Sequence, residues 1–121
     1  MTLQNYLYTI ERQEDNTFSV KLIPDCEIFK AHFEGHPVLP GVCITRMITE
    51  LSEILVAKRL SLYTIVNLKF LEVVSPEKTE EVCFVFDNVQ HDNDNVKIKG
   101  KVMAGEHVFT KFSILYNIIN Q

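Results

Sequence analysis

The residues able to do chemistry are concentrated in one stretch, Ala31-His32-Phe33-Glu34-Gly35-His36-Pro37-Val38-Leu39-Pro40-Gly41-Val42. Of the four glycines and four prolines in the chain, Gly35, Pro37, Pro40 and Gly41 all fall here. This punctuation stiffens a loop that carries two imidazoles and an aromatic ring toward the start of an apolar-periodic segment. A neutral imidazole can take and return a proton near pH 7. Pro40 has no N–H, whereas the amides of Gly41 and Val42 stand at the positive end of the helix dipole, where a carbonyl oxygen gaining charge is stabilised. Residue types alone leave His32 two roles, a base or a loop histidine bonded to a backbone carbonyl. His32 and His36 are spaced like metal ligands on a helix, but Gly35 and Pro37 preclude helix there and no third ligand is visible, so no metal is expected. Asp92-Asn93-Asp94-Asn95 begins like a calcium loop, lacks the following Gly and distal Glu, and reads as a hairpin tip.

The elements that must position these residues follow from the apolar period. From Gly41 to about Leu60, the residues Ile44, Met47, Ile48, Leu51, Ile54 and Leu55 recur at helical spacing, with Arg46, Thr49, Glu50 and Glu53 as a narrow polar seam. Before this helix, Tyr6 to Gln13 and Thr17 to Ile23 read as a hairpin joined by Glu14-Asp15-Asn16, and Asp25 to His36 as irregular or a short helical turn. After it, Thr64 to Val74, Glu80 to Val89, Val96 to Met103 and His107 to Ile119 are rich in β-branched and aromatic residues and read as an antiparallel meander. The expected class is α+β, one sheet burying one long helix. The last strand and Glu80 to Val89 carry more apolar positions than one such sheet covers, which predicts at least a homodimer.

Composition sets the outer limits. The 121 residues are 46% hydrophobic and 23% charged, which fits one domain, residues 1–121, and excludes disorder and collagen-like repetition. With 12 Lys+Arg against 16 Asp+Glu the net charge is −4, so a general nucleic-acid coat is excluded. No apolar run approaches the roughly 18 residues of a membrane span and no leader is visible, so a cytoplasmic location is expected. Cys26, Cys43 and Cys83 are odd in number and scattered, which predicts three buried thiols without disulfide or zinc.

The segment His32-Phe33, then Pro37, then Pro40-Gly41-Val42 running into the helix resembles the 3-hydroxyacyl-acyl carrier protein dehydratases of fatty acid synthesis. The order of elements fits over nearly the whole chain. The resemblance implies a hotdog fold, an antiparallel sheet wrapped around one long helix. It implies a dimer with active sites at the subunit interface, entered by an acyl chain on a carrier protein or coenzyme A thioester, and no cofactor. Carried over by position, His32 would be the catalytic base and the Gly41 amide would bind the thioester carbonyl; Phe33, Val42 and Arg46 are expected as further substrate contacts. The implied reaction is reversible dehydration of a 3-hydroxyacyl thioester to a trans-2-enoyl thioester. Alternatives are a non-catalytic acyl-thioester binder or partner subunit, and a thioesterase on the same fold.

The chain departs from the family pattern at the acid. In the family a Glu or Asp lies fourteen residues after the histidine, and here that position is Arg46. A guanidinium cannot usefully donate a proton, though it can hold a carbonyl or an anion. Glu50, one turn on, has two readings: the replacement acid, or an i,i+4 ion-pair partner of Arg46. The family also has Pro directly after His-Phe, where this chain has Glu34. Finally, Lys97, Lys99 and Lys101 form a basic stripe on one face of a strand, either a solvated face or a dock for an acidic carrier protein.

Overall fold

The computed structural model describes residues 2–31 and 35–119. Its elements are β1 (Tyr8–Glu14), β2 (Thr17–Leu22), α1 (Glu27–Ala31), α2 (Gly41–Val56), β3 (Leu60–Phe70), β4 (Glu81–Asp92), β5 (Asn95–Ala104) and β6 (His107–Ile118). The six strands form one antiparallel sheet in the order β1-β2-β4-β5-β6-β3. This is the α+β hotdog arrangement expected from the sequence. Among the described residues no helix is long and apolar enough to cross a membrane.

Helix α2 forms because its apolar residues fall on one stripe. Ile44, Met47, Ile48 and Leu51 are all buried against inward-facing sheet residues such as Phe18, Val20, Phe84, Ile98 and Ile114. Each such side chain contributes about 1.5–3 kcal/mol through removal from water. The aromatic rings add directional packing: Phe18, Phe86 and Phe112 meet edge to face with centroids 5.8 Å apart at both steps. Gly100 on β5 is required by close approach, since a Cβ there would lie 2.2 Å from the Val85 carbonyl oxygen and 2.7 Å from the Phe112 ring.

Several expectations are corrected. The helix stops at Val56, short of Leu60, because Ala57 turns left-handed (φ 56°) and the Ala57 and Lys58 amides close onto Ile54 and Glu53 carbonyls. Strand β3 therefore starts at Leu60, held by a 2.9 Å bond from its amide to the Glu53 carboxylate, and ends at Phe70 instead of Val74. It is not the first strand of a meander: β3 pairs with β6, while β4 pairs with β2, and residues 71–80 cross between them. The hairpin tips are tighter than expected, with left-handed Asp15 and Asn93 (φ 52° and 45°) making turns that leave His91 and Asp92 in β4. Cys83 is only half-buried, 3.5 Å from the Ser19 hydroxyl, while Cys26 and Cys43 are buried. Strand β6 is mostly covered within the chain, and the uncovered apolar surface lies on β3 instead.

Candidate active site

The helix start is built by backbone geometry. The Leu39 amide donates to the Val74 carbonyl at 2.7 Å, pinning the loop, and Pro40 follows as an extended N-cap (φ −63°, ψ 145°) with no side-chain cap. The amides of Cys43 and Ile44 close onto the Pro40 carbonyl at 3.0 and 3.1 Å. Gly41 and Val42, as the first two helical residues, have no carbonyl one turn behind them, and no acidic side chain occupies the first turn. Their N–H groups are therefore suited to an oxygen carrying negative charge. The Phe70 ring lies over Gly41 so closely that a Cβ would stand 2.9 Å from it. Beside it Leu39, Pro40, Ile44 and Val73 help to line an apolar cavity of about 180 Å³. Val42 is 77% exposed on the helix flank.

The second part of the site is the flank of α2 that faces β3. Val42, Thr45, Arg46 and Thr49 border a groove of about 580 Å³ whose other wall includes Leu62 and Ile65. Thr49 donates to the Thr45 carbonyl at 3.2 Å, and its hydroxyl lies 2.9 Å from that of Tyr116. Burial pushes the Tyr116 phenol up to about 12. The groove is thus apolar along β3 and polar along the helix.

Glu50 is the most constrained side chain of the group. Its side chain is 7% exposed, and its two carboxylate oxygens accept from four donors. Oε2 takes the Leu3 amide at 2.7 Å and the Arg46 Nε at 3.3 Å. Oε1 takes the Gln4 amide at 3.0 Å and the Tyr8 hydroxyl at 2.9 Å. A proton on either oxygen would displace one of these donors. Burial first, then the bond to Glu50, drives the Tyr8 phenol far above its ordinary range. The i,i+4 pair with Arg46 that the sequence offered is present, and the carboxylate also ties down the chain's first residues.

Of the site residues expected from the sequence, Val42 and Arg46 share the groove beside β3, Glu50 lines a separate cleft with Arg46, and Gly41 lines the small cavity under Phe70, whereas His32 and Phe33, with Glu34, lie outside the described residues. Helix α1 ends at Ala31 with Phe29 buried, and Gly35 has a left-handed backbone (φ 83°). Tyr8 and Phe70 are not marked in the sequence as site residues, and Thr49 is marked only as part of the polar seam. Nothing local signals that Tyr8 meets Glu50 or that Phe70 covers Gly41, because both contacts arise from long-range packing.

A family model described as ApeI-like, ApeI dehydratase, matches residues 9–110. The 3-hydroxyacyl-[acyl-carrier-protein] dehydratase FabZ of Rickettsia canadensis is 38% identical over 94 residues, covering 68% of this chain and 65% of that protein. The FabZ of Rickettsia bellii is also 38% identical over 94 residues, with 68% and 64% covered. The chain thus spans just under two thirds of the length of these relatives. Among solved structures, a thioesterase enzyme from Staphylococcus aureus superposes with a TM-score of 0.69 at 12% identity, covering 98% of each chain. The dehydratase heterocomplex ApeI:P from Xenorhabdus doucetiae gives 0.60 at 18% identity, covering 90% of this chain and 94% of the other. At such identities these two likenesses speak for the fold alone.

Proposed function

The chain belongs to the ApeI-like dehydratase family, and on that footing we propose that it catalyses reversible dehydration of a 3-hydroxyacyl thioester to a trans-2-enoyl thioester. The observation that carries the reading is the helix start, where Pro40 and the uncapped amides of Gly41 and Val42 provide a place for a thioester oxygen. With that oxygen on the Gly41 N–H, the His32 imidazole removes the proton from the carbon next to the carbonyl. The electrons of that C–H bond form the new C=C bond as the C–O bond to the 3-hydroxyl breaks. The proton held by His32 passes to the departing oxygen, which leaves as water. The thioester linkage is untouched. Arg46, steadied by Glu50, contacts the substrate's polar atoms, with Val42 beside it, while the acyl chain runs along Leu62 and Ile65 and Phe33 is a further substrate contact. A carrier protein, as in the substrate named for the Rickettsia relatives, or coenzyme A bears the acyl group.

The same proposal includes a second copy of the chain. Strand β3 is at the edge of the sheet and exposes Leu62, Tyr63, Ile65 and Val66 at 43% to 64%. A long apolar edge strand of this kind needs a covering partner. Pairing with β3 of another copy would cover it and close the groove beside Arg46.

One observation favours a second reading. Arg46 occupies the place of the family's acid and Glu50 has no vacant lone pair, which suits a partner subunit whose own chemistry has been removed. The thioesterase alternative is weaker on the same ground, since it needs a carboxylate able to activate water. Purified protein given an enoyl thioester separates all three. Loss of the conjugated absorbance without release of free thiol supports the dehydratase, and thiol release supports the thioesterase. An inert wild type that gains hydration in Arg46→Glu supports the partner subunit.

A further inference from the structure

With Arg46 in the place of the family's acid and Glu50 filled by four donors, no carboxyl group among the described residues lines the groove beside β3. The 3-oxygen of a hydroxyacyl group still gathers negative charge as its C–O bond breaks, and a hydrogen-bond donor aimed at it lowers the barrier. On a helix the residues three and four positions on are the surface neighbours of residue 46, each about 5–6 Å away. These are Thr49 and Glu50. Glu50 is turned to the N-terminal segment, whereas Thr49 lines the groove with Arg46.

The Thr49 hydroxyl is backed by a second one. It donates to the Thr45 carbonyl at 3.2 Å, a long bond back along the helix, so the Tyr116 hydroxyl 2.9 Å away is the donor of their pair. Tyr116 is fully buried, which keeps its phenol protonated at neutral pH. A hydroxyl that accepts from another is polarised into a better donor. Rotation about one C–O bond turns the Thr49 proton from Thr45 into the groove without moving a heavy atom. Of the groove's hydroxyl side chains, Thr45, Thr49 and Ser61, Thr49 alone has such a donor behind it among the described residues.

Span decides which substrate Thr49 serves. Thr49 is eight residues beyond Gly41, about 12 Å along α2, and the Gly41 N–H points out of the helix start, so an oxygen bound there is farther still. The two oxygens of a 3-hydroxyacyl group are separated by four bonds, less than roughly 5 Å. A hydrogen bond adds about 2.8 Å, and the gap stays open. One copy cannot hold both oxygens. A twofold pairing across β3 runs the two α2 helices in opposite directions and sets the start of one toward the body of the other.

We infer, on the footing of the dehydratase reading, that the Thr49 hydroxyl backed by Tyr116 hydrogen-bonds the departing 3-oxygen of the substrate held at Gly41 of a second copy. The C–O electron pair leaves with that oxygen, which takes the proton held by the base and departs as water, while Thr49 and Tyr116 keep their own protons. Hydration of a trans-2-enoyl thioester by the full-length protein tests this. Thr49→Val is expected to lose about 100-fold in maximal rate, with KM and unfolding temperature little changed, as for removal of one donor to a developing oxyanion. Thr49→Ser should recover most of that loss. Tyr116→Phe should also be slow, and Thr49→Val/Tyr116→Phe no slower than Thr49→Val, because Tyr116 acts through Thr49. A mixed dimer of His32→Ala and Thr49→Val copies, isolated by two tags, has one wholly wild-type site if the sites are shared, so about half of the wild-type rate should return. Wild-type rate in Thr49→Val, an equal loss in Thr49→Ser, multiplied losses in the double variant, or no recovery in the mixed dimer would each overturn the inference and leave the dehydratase reading standing. A wild type that hydrates no enoyl thioester would overturn both.

Discussion

Replacing Glu50 by Gln tests whether this carboxylate holds the structure or supplies a proton. In the structure its oxygens accept from the Leu3 and Gln4 amides, the Tyr8 hydroxyl and the Arg46 guanidinium. A glutamine side chain there would keep one oxygen and turn an N–H₂ toward either the Leu3 amide and Arg46 or the Gln4 amide and Tyr8, whose hydroxyl can accept in turn, so one or two bonds are lost and the amide of Leu3 or Gln4 loses its acceptor. Hydrogen bonds to a charged group contribute about 1.5–3 kcal/mol each, and an unsatisfied buried donor costs about 1–3 kcal/mol. The more exposed Arg46 contact is worth less, about 0.3–0.5 kcal/mol. Allowing for relaxation of the N-terminal segment, Glu50→Gln should lose roughly 3 kcal/mol, or about 10 °C in unfolding temperature for a domain of this size. Arg46→Ala, by contrast, should lose about 0.5 kcal/mol. Urea and thermal unfolding followed by circular dichroism measure both. A Glu50→Gln protein within about 0.5 kcal/mol of wild type would show that the four bonds do not hold the fold, and would return Glu50 to candidacy as the acid.

Three further outcomes are expected. Gly100→Ala should cost about 2–4 kcal/mol in chemical denaturation, because its Cβ would press on the Val85 carbonyl backbone, which cannot swing aside as an exposed side chain can. The folded protein holds Tyr116 near 12 against 10.0 for a free phenol, with Tyr8 raised in the same direction, so unfolded tyrosines ionise first. Stability should therefore be level below pH 10 and fall as pH rises toward 12, and Tyr116→Phe should flatten that fall in pH-dependent melting curves. Val66→Lys on the exposed edge of β3 should convert a dimer to a monomer in sedimentation equilibrium without unfolding it.

Much of this arrangement can be read along the chain. The start of α2 is marked by Pro40-Gly41 and by the i, i+3, i+4 recurrence of Ile44, Met47, Ile48 and Leu51, which is a local property. The β4-β5-β6 meander is similarly marked by alternation and by tight polar turns. The place of β3 is not, because its pairing with β6 joins residues far apart in sequence, and the alternation pattern names a face but no neighbour. The end of α2 carries no glycine, and a left-handed Ala57 leaves no compositional sign. At the site, the Arg46–Glu50 pair follows from helical spacing alone. The other donors to Glu50 come from residues 3 to 8, more than 40 positions away, which only the folded chain brings together. The basic stripe of β5 is visible as alternating lysines, but its extension through Lys111 and Lys69 depends on register across three strands.

At the heart of the proposed chemistry, His32 moves a proton on a thioester bound at the start of α2. Hydration of a trans-2-enoyl thioester by the wild-type chain and by His32→Ala, with an unfolding curve for each, measures this step. Turnover is expected in the wild type, with a loss of about 100- to 10,000-fold in His32→Ala at unchanged stability. Equal rates in the two proteins would contradict a proton-moving role for His32.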